Sequence, residues 1–204
     1  MIIKKLTLTD FQVFQGRHEL DLETRTKYNR KRPIVLFGGL NGAGKTTMLT
    51  AVRLALYGKQ ILGIGASNKA YESYLEGCIH NARDSIVQAN SAGVELDFTY
   101  AKLGELKNYK VTRQWMITGK KLTETLHITE NDSRLSELSK DQCQGFLNEL
   151  VPVGVSELFF FDGEKIKELA EDGSGLALGD AIKKLLGLDV LDTLRADLGI
   201  YLRN

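Results

Sequence analysis

Gly39-Leu40-Asn41-Gly42-Ala43-Gly44-Lys45-Thr46-Thr47 decides how the rest of the chain is read. Gly39, Gly44, Lys45 and Thr46 match the spacing G-x-x-x-x-G-K-[ST]. The apolar run Ile34-Val35-Leu36-Phe37 before the motif predicts a buried strand, and residues 48–57 after it predict a helix. Glycines at 39, 42 and 44 permit backbone angles that a side chain would block, so successive N–H groups can turn inward around an anion. The N-terminus of the following helix adds unpaired N–H groups and partial positive charge. In such a loop Lys45 reaches the β- and γ-phosphates, the Thr46 hydroxyl ligates Mg²⁺, Thr47 bonds the α-phosphate and Asn41 stands at the tip, with Ala43 between two glycines. The competing reading is a glycine-rich turn that merely precedes Lys-Thr; the strand and helix expected on either side weigh against it.

A chain of 204 residues has room for one good core, or for one domain and an appendage. Its 43% hydrophobic and 26% charged content is that of an ordinary globular protein. No apolar run approaches the roughly 20 residues of a membrane span, and the alternating N-terminus is not a secretory leader. Cys78 and Cys143 stand far apart, which suits a reducing, cytoplasmic setting. Charge is uneven: residues 1–60 carry eleven Lys and Arg against four Asp and Glu, and the remainder carries 16 against 22. The basic half holds the glycine-rich loop, so its charge could serve a nucleotide, DNA or solubility alone.

Residues 2–9 and 17–22 alternate apolar and polar, predicting two antiparallel strands ahead of the loop. Residues 23–32 are polar and basic and predict an exposed loop; residues 69–81 predict a helix. From Ala92 the period becomes two: Val94, Leu96, Phe98 and Tyr100, then Tyr109, Val111, Arg113 and Trp115, then Leu122, Leu126 and Ile128. With turn signals at Gly104 and Gly119, this is a three-stranded meander in which Trp115 and Phe98 read as half-buried. Residues 139–150 read as a helix, with Ser139 and Gln142 at capping-box spacing. Leu158-Phe159-Phe160-Phe161 predicts a second buried strand ending in Asp162. Leu191, Leu194, Leu198 and Tyr201 give barely two heptads of seam, open to a coiled coil or an amphipathic helix. That helix reaches Asn204 without a cap or glycine, as expected of a segment cut from a longer chain. His18, His80 and His127 lack metal-ligand spacing, and so does Cys78-Ile79-His80. Asn68-Lys69-Ala70-Tyr71 imitates a guanine-binding motif but has Tyr71 in place of its Asp.

Taken in order, the opening strand with Asp10-Phe11-Gln12-Val13-Phe14, the Asn-Gly-Ala-Gly-Lys-Thr-Thr loop, the meander and the terminal helix resemble the N-terminal head segment of the SMC-like ATPases. That class includes chromosome-maintenance, RecN, RecF and break-repair proteins. Within it, Phe-Phe-Phe-Asp-Gly-Glu-Lys-Ile is most similar to the ATPase component of bacterial Dnd DNA phosphorothioation systems. The resemblance implies an α/β P-loop NTPase fold of the ABC/SMC head type. Residues 1–175 would be the N-terminal lobe with its antiparallel β subdomain, and residues 176–204 the start of a coiled coil. It implies ATP and Mg²⁺ as cofactors, with Lys45 and Asp162 catalytic and Thr46 and Asp162 at the metal. Implied partners are DNA, other DNA-modification subunits, the head's own C-terminal half and a second copy of the chain, with no membrane. Many relatives carry Lys or Arg where Gln12 stands, touching phosphate. Relatives also end the strand after the meander in Gln-Gly, where this chain has Asp162-Gly163.

The same stretch satisfies a Walker B pattern, although Glu164 is two residues from Asp162 instead of adjacent. A third reading is an Asp that caps the following helix. Either of the first two places a carboxylate near a hard, oxygen-seeking cation. The signature sequence, adjacent Asp-Glu pair and switch His of the class are not found in the chain. The chain alone is therefore expected to bind nucleotide weakly and hydrolyse it poorly. Break repair or chromosome maintenance is an alternative role. A self-contained metabolic P-loop kinase is another, disfavoured by the two strands preceding the loop, and an ATP-controlled association module is a third.

Overall fold

Period-two alternation builds a six-stranded antiparallel sheet ordered β2-β1-β5-β6-β7-β8. Its strands are β1 Ile2–Phe11, β2 Phe14–Asp21, β5 Ser91–Lys102, β6 Glu105–Thr118, β7 Lys121–Glu130 and β8 Ser133–Arg134. β3 Thr26–Lys27 and β4 Arg30–Lys31 form a separate hairpin. Among the described residues three helices join them: α1 Lys45–Tyr57, α2 Asn68–Gly77 and α3 Lys140–Leu150, with a 3-10 turn at Gly58–Leu62. The computed structural model describes residues 1–24, 26–27, 30–31, 34–63, 65–81, 88–102, 104–135, 138–153 and 159–160. The chain divides into two compact units, Met1–Glu149 and Leu150–Asn204. In the second, only residues 150–153 and 159–160 are described.

One face of the sheet is apolar because its inward positions are: Leu6 and Leu8 on β1, Val94, Leu96 and Phe98 on β5, Val111 and Trp115 on β6, and Leu126 and Ile128 on β7, all buried. α1 lies on β5 and β6 and contributes Ala51, Leu54 and Ala55 to this core. The opposite face carries Lys5 paired with Glu19, Arg17 paired with Glu19 and Glu95, and Lys110 paired with Asp97. One packed face and one polar face is the ordinary antiparallel solution.

The meander, the N-terminal pair of strands and the helix after the glycine loop form as the sequence predicts. α3 carries both capping-box bonds: the Gln142 backbone N–H donates to Ser139 Oγ at 3.3 Å, and Ser139 N–H donates to Gln142 Oε1 at 2.8 Å. Five expectations are corrected. Residues 34–40 form no strand; Ile34 is 82% and Leu36 90% exposed, because none of the described strands pairs with them. An apolar run is a buried strand only when neighbours flank it, and the sequence pattern does not carry the neighbours. Phe159, 66% exposed and helical, and Phe160, in a bend, likewise depart from the strand expected at 158–161, whose Leu158 and Phe161 lie outside the described residues. The basic loop at 23–32 folds on itself, Thr26 pairing Lys31 and Lys27 pairing Arg30, since a hairpin needs only two residues between its strands. α2 ends at Gly77 instead of running to 81, because Ile79 bridges to Phe11. Trp115 and Phe98 are fully buried, not half-buried: Trp115 sits edge-on to Phe11 at 6.0 Å and donates from Nε1 to the Leu75 carbonyl of α2 at 2.8 Å.

Candidate functional site

The glycine-rich loop wraps the N-terminus of α1. Gly44 is its N-cap, in the left-handed region at φ 92°, and no side chain caps the first turn. That turn carries no acidic residue either, so its N–H groups and positive end are left for an outside anion. Gly42 is left-handed as well, at φ 82°. A tight turn closes the loop, Ala43 N–H donating to the Leu40 carbonyl at 3.2 Å. Lys45 folds back over the loop, its ammonium donating to the carbonyls of Gly39 at 2.7 Å and Leu40 at 2.8 Å. Gly39, Asn41, Gly42, Ala43, Lys45 and Thr46 are exposed, while Thr47 is buried. Backbone donors, one mobile ammonium and an exposed hydroxyl form a donor set that fits a phosphate chain and a hard divalent cation. Lys45 and Thr46 are the residues that would hold them. Asp162, Gly163, Glu164 and the heptad seam lie outside the described residues.

Gly44 is buried although Ala43 and Lys45 beside it are exposed. The turn between β1 and β2 covers it: a Cβ on Gly44 would stand 2.8 Å from the Phe14 ring and 3.0 Å from Val13 Cγ2. Glycine is therefore demanded there twice, by φ and by the close approach. The covering turn is itself strained, with Asp10 at φ 44° and Gln12 at φ 49°, and β1 shifts register between Thr9 and Phe11. The Asp10 carboxylate accepts from Gly16 N–H at 2.7 Å and braces the bulge. Behind the turn runs the segment after α2. Gln12 N–H donates to the Cys78 carbonyl at 2.8 Å, His80 N–H to the Asp10 carbonyl at 2.7 Å, and His80 Nδ1 lies 2.6 Å from the Gln12 carbonyl. The Gln12 side-chain amide donates to Cys78 Sγ at 3.6 Å. Burial, against weaker opposing hydrogen bonds from Gln12 and Tyr74, holds the Cys78 thiol above its ordinary pKa. Sequence reasoning dismissed Cys78 and His80 as isolated ligands, since nothing in their own spacing announces contact with residues about 70 positions earlier.

At the opposite end of α1 sits a buried ionic cluster that sequence reasoning also missed. Arg113 and Glu124, 2% and 4% exposed, pair at 2.6 Å. Glu124 further accepts from Tyr71 Oη at 2.6 Å and Lys140 Nζ at 2.9 Å. Arg113 donates to Gln144 Oε1 at 2.7 Å and reaches the Ala55 carbonyl at 3.4 Å, while Gln144 donates to the Leu56 carbonyl at 2.9 Å. Cationic and amide donors thus meet the last carbonyls of α1, where they are electrostatically favoured. Burial pushes the Glu124 carboxyl up; the Arg113 charge and the hydrogen bonds of Tyr71, Arg113 and Lys140 more than reverse this, leaving it below the usual carboxylate value. A polar cleft of about 410 Å³ opens beside the cluster, between α1, α2 and α3. The available signal was a charged residue in the core-facing phase of each of two neighbouring strands.

Among known proteins, a family model described as an AAA domain matches residues 5–194. The chain is also similar to an adenylyl-sulfate kinase of Pseudomonas aeruginosa PAO1, 46% identical over 43 residues, which cover 21% of this chain and 22% of the kinase. Such a segment, about a fifth of each protein, bears on local sequence and not on the whole. The family match spans the glycine loop, α1, the meander and α3, and by it this chain belongs to the AAA domain family of ATPases, in its SMC- and RecF-like branch.

Proposed function

We propose that residues 39–47 bind the phosphates of ATP with Mg²⁺, and that the chain is the N-terminal part of an SMC-like head serving a DNA transaction, DNA phosphorothioation in the first place. The observation that carries the nucleotide reading is the uncapped N-terminus of α1 behind a left-handed Gly44, with the Lys45 ammonium already resting on the loop carbonyls. With a nucleotide bound, Lys45 would be the residue to hold phosphate oxygens in place of the Gly39 and Leu40 carbonyls, and Thr46 would be the hydroxyl ligand for the cation. ATP supplies the phosphoanhydride and Mg²⁺ the charge neutralisation. The exposed run at 34–37 supports a composite head, in which this segment becomes a central strand once the C-terminal half of the head pairs with it. Asp162 acts as the companion carboxylate at the metal, and closure of two heads around two nucleotides couples binding to assembly. The phosphorothioation reading rests on resemblance at Phe159-Phe160-Phe161-Asp162-Gly163-Glu164.

Steady-state hydrolysis tests the reading. The isolated 204-residue chain should turn over ATP weakly, and the full protein should lose turnover by about a hundredfold or more on Lys45→Ala. Robust turnover by the isolated chain, abolished by Lys45→Ala, would place a complete site here and favour a self-contained P-loop enzyme. DNA binding by the full protein should strengthen with ATP and weaken steeply with salt.

A further inference from the structure

The segment Cys78-Ile79-His80 is absorbed by no part of the nucleotide reading, yet it bonds the turn that covers Gly44. We infer that it is a positioning strap for the phosphate loop, with His80 its principal residue; the inference rests on residues 39–47 being a phosphate site. Three hydrogen bonds carry it: Gln12 N–H to the Cys78 carbonyl and His80 N–H to the Asp10 carbonyl, which together make the Phe11–Ile79 bridge, and the His80 ring to the Gln12 carbonyl at 2.6 Å. A carbonyl can only accept, so the ring nitrogen Nδ1 carries the hydrogen and His80 is a donor there.

These bonds land on Asp10 and Gln12, the two residues of the turn held at positive φ without being glycine. Such conformations persist only where surrounding contacts over-determine them. What the strained turn delivers is the placement of Val13 and Phe14 against Gly44, the N-cap whose backbone lies in the anion cradle. The line of action runs from His80 through the Gln12 carbonyl to Phe14 and then Gly44. His80 is a positioning residue: it narrows the conformations of the cradle before the anion arrives, so that less ordering is charged to binding.

Calorimetric titration of the full protein with Mg-ATP tests this. His80→Ala should weaken affinity by about tenfold, equivalent to about 1.4 kcal/mol. His80→Asn, whose amide N–H stands near the place of Nδ1, should recover affinity to within about twofold, whereas His80→Gln, which mimics Nε2, should not. Because the effect passes through Phe14, His80→Ala in a Phe14→Ala background should cost less than about twofold more; a purely structural histidine would add its full effect. Should His80→Ala fail to fold, the contrast between His80→Asn and His80→Gln decides on the same criterion. Unchanged affinity in His80→Ala, or additivity with Phe14→Ala, overturns the strap while Lys45→Ala still abolishing binding leaves the site standing. Affinity indifferent to Lys45→Ala overturns the site and the strap together.

Discussion

Arg113 and Glu124 are ionised groups almost wholly withdrawn from solvent, and each leans chiefly on the other. Removing one partner strands a buried charge, a loss of about 3–5 kcal/mol, whereas replacing both by apolar residues of similar volume is often neutral. Glu124→Leu and Arg113→Met should each lower the denaturation midpoint strongly, and the double variant should recover much of the loss; chemical denaturation of the three chains checks this. The cluster also sets an acid limit. Because the Glu124 carboxyl titrates below its unfolded value, its contribution is complete above the ordinary Glu value of about 4.3 and disappears as pH falls through the folded one. Thermal midpoints should therefore drop on acidification below about pH 4, and Glu124→Gln should flatten that drop. A charged residue on an apolar phase is visible in the sequence, but its partner is not. Arg113 and Glu124 are eleven positions apart and meet only because β6 and β7 are registered with Trp115 opposite Glu124.

At the level of elements, local rules were readable and distant ones were not. The capping box of α3 could be predicted from Ser139 and Gln142 alone because both bonds close within one turn. Ser139→Ala removes a cap from the Gln142 N–H and should cost about 1 kcal/mol, measurable as a lowered unfolding free energy with an unchanged denaturant slope. The meander was readable for the same reason, each strand being joined to the next by a short turn. The end of α2 was not, because Gly77 could lie inside a helix or after one. What stops α2 is β1, which takes Ile79 as a bridge partner. In the candidate site, the loop's geometry was implied by its glycines, while the wall that Val13 and Phe14 build over Gly44 came from a turn whose sequence contains no glycine between Asp10 and Gln15.

For the whole chain, the exposed run at 34–37 has consequences beyond the site. Leu36 is 90% exposed in a stretch that also shows Ile34 and Leu40, an apolar surface of the kind that drives association. Sedimentation of the isolated chain should show self-association that grows with concentration. Leu36→Asp should suppress it while changing stability by less than about 0.5 kcal/mol, since that side chain is exposed. In the full protein the same substitution should abolish ATP turnover if the run becomes a central strand.

β1 pairs on one side with β2, its neighbour in sequence, and on the other with β5, so that Thr9 meets Gly93 and Ile2 meets Thr99. Residues 39–47, proposed to hold the phosphates, are threaded through the loop this pairing closes. Pairings this distant in sequence form late and slowly compared with hairpins. A nascent chain leaving the ribosome at about 5–20 residues per second has its first hairpin in hand several seconds before the strand that must flank it has emerged. Through that interval the first hairpin has an open edge and the apolar stretch behind it has no cover, which makes this the window in which a chaperone, or a neighbouring nascent chain, would compete for the same surface.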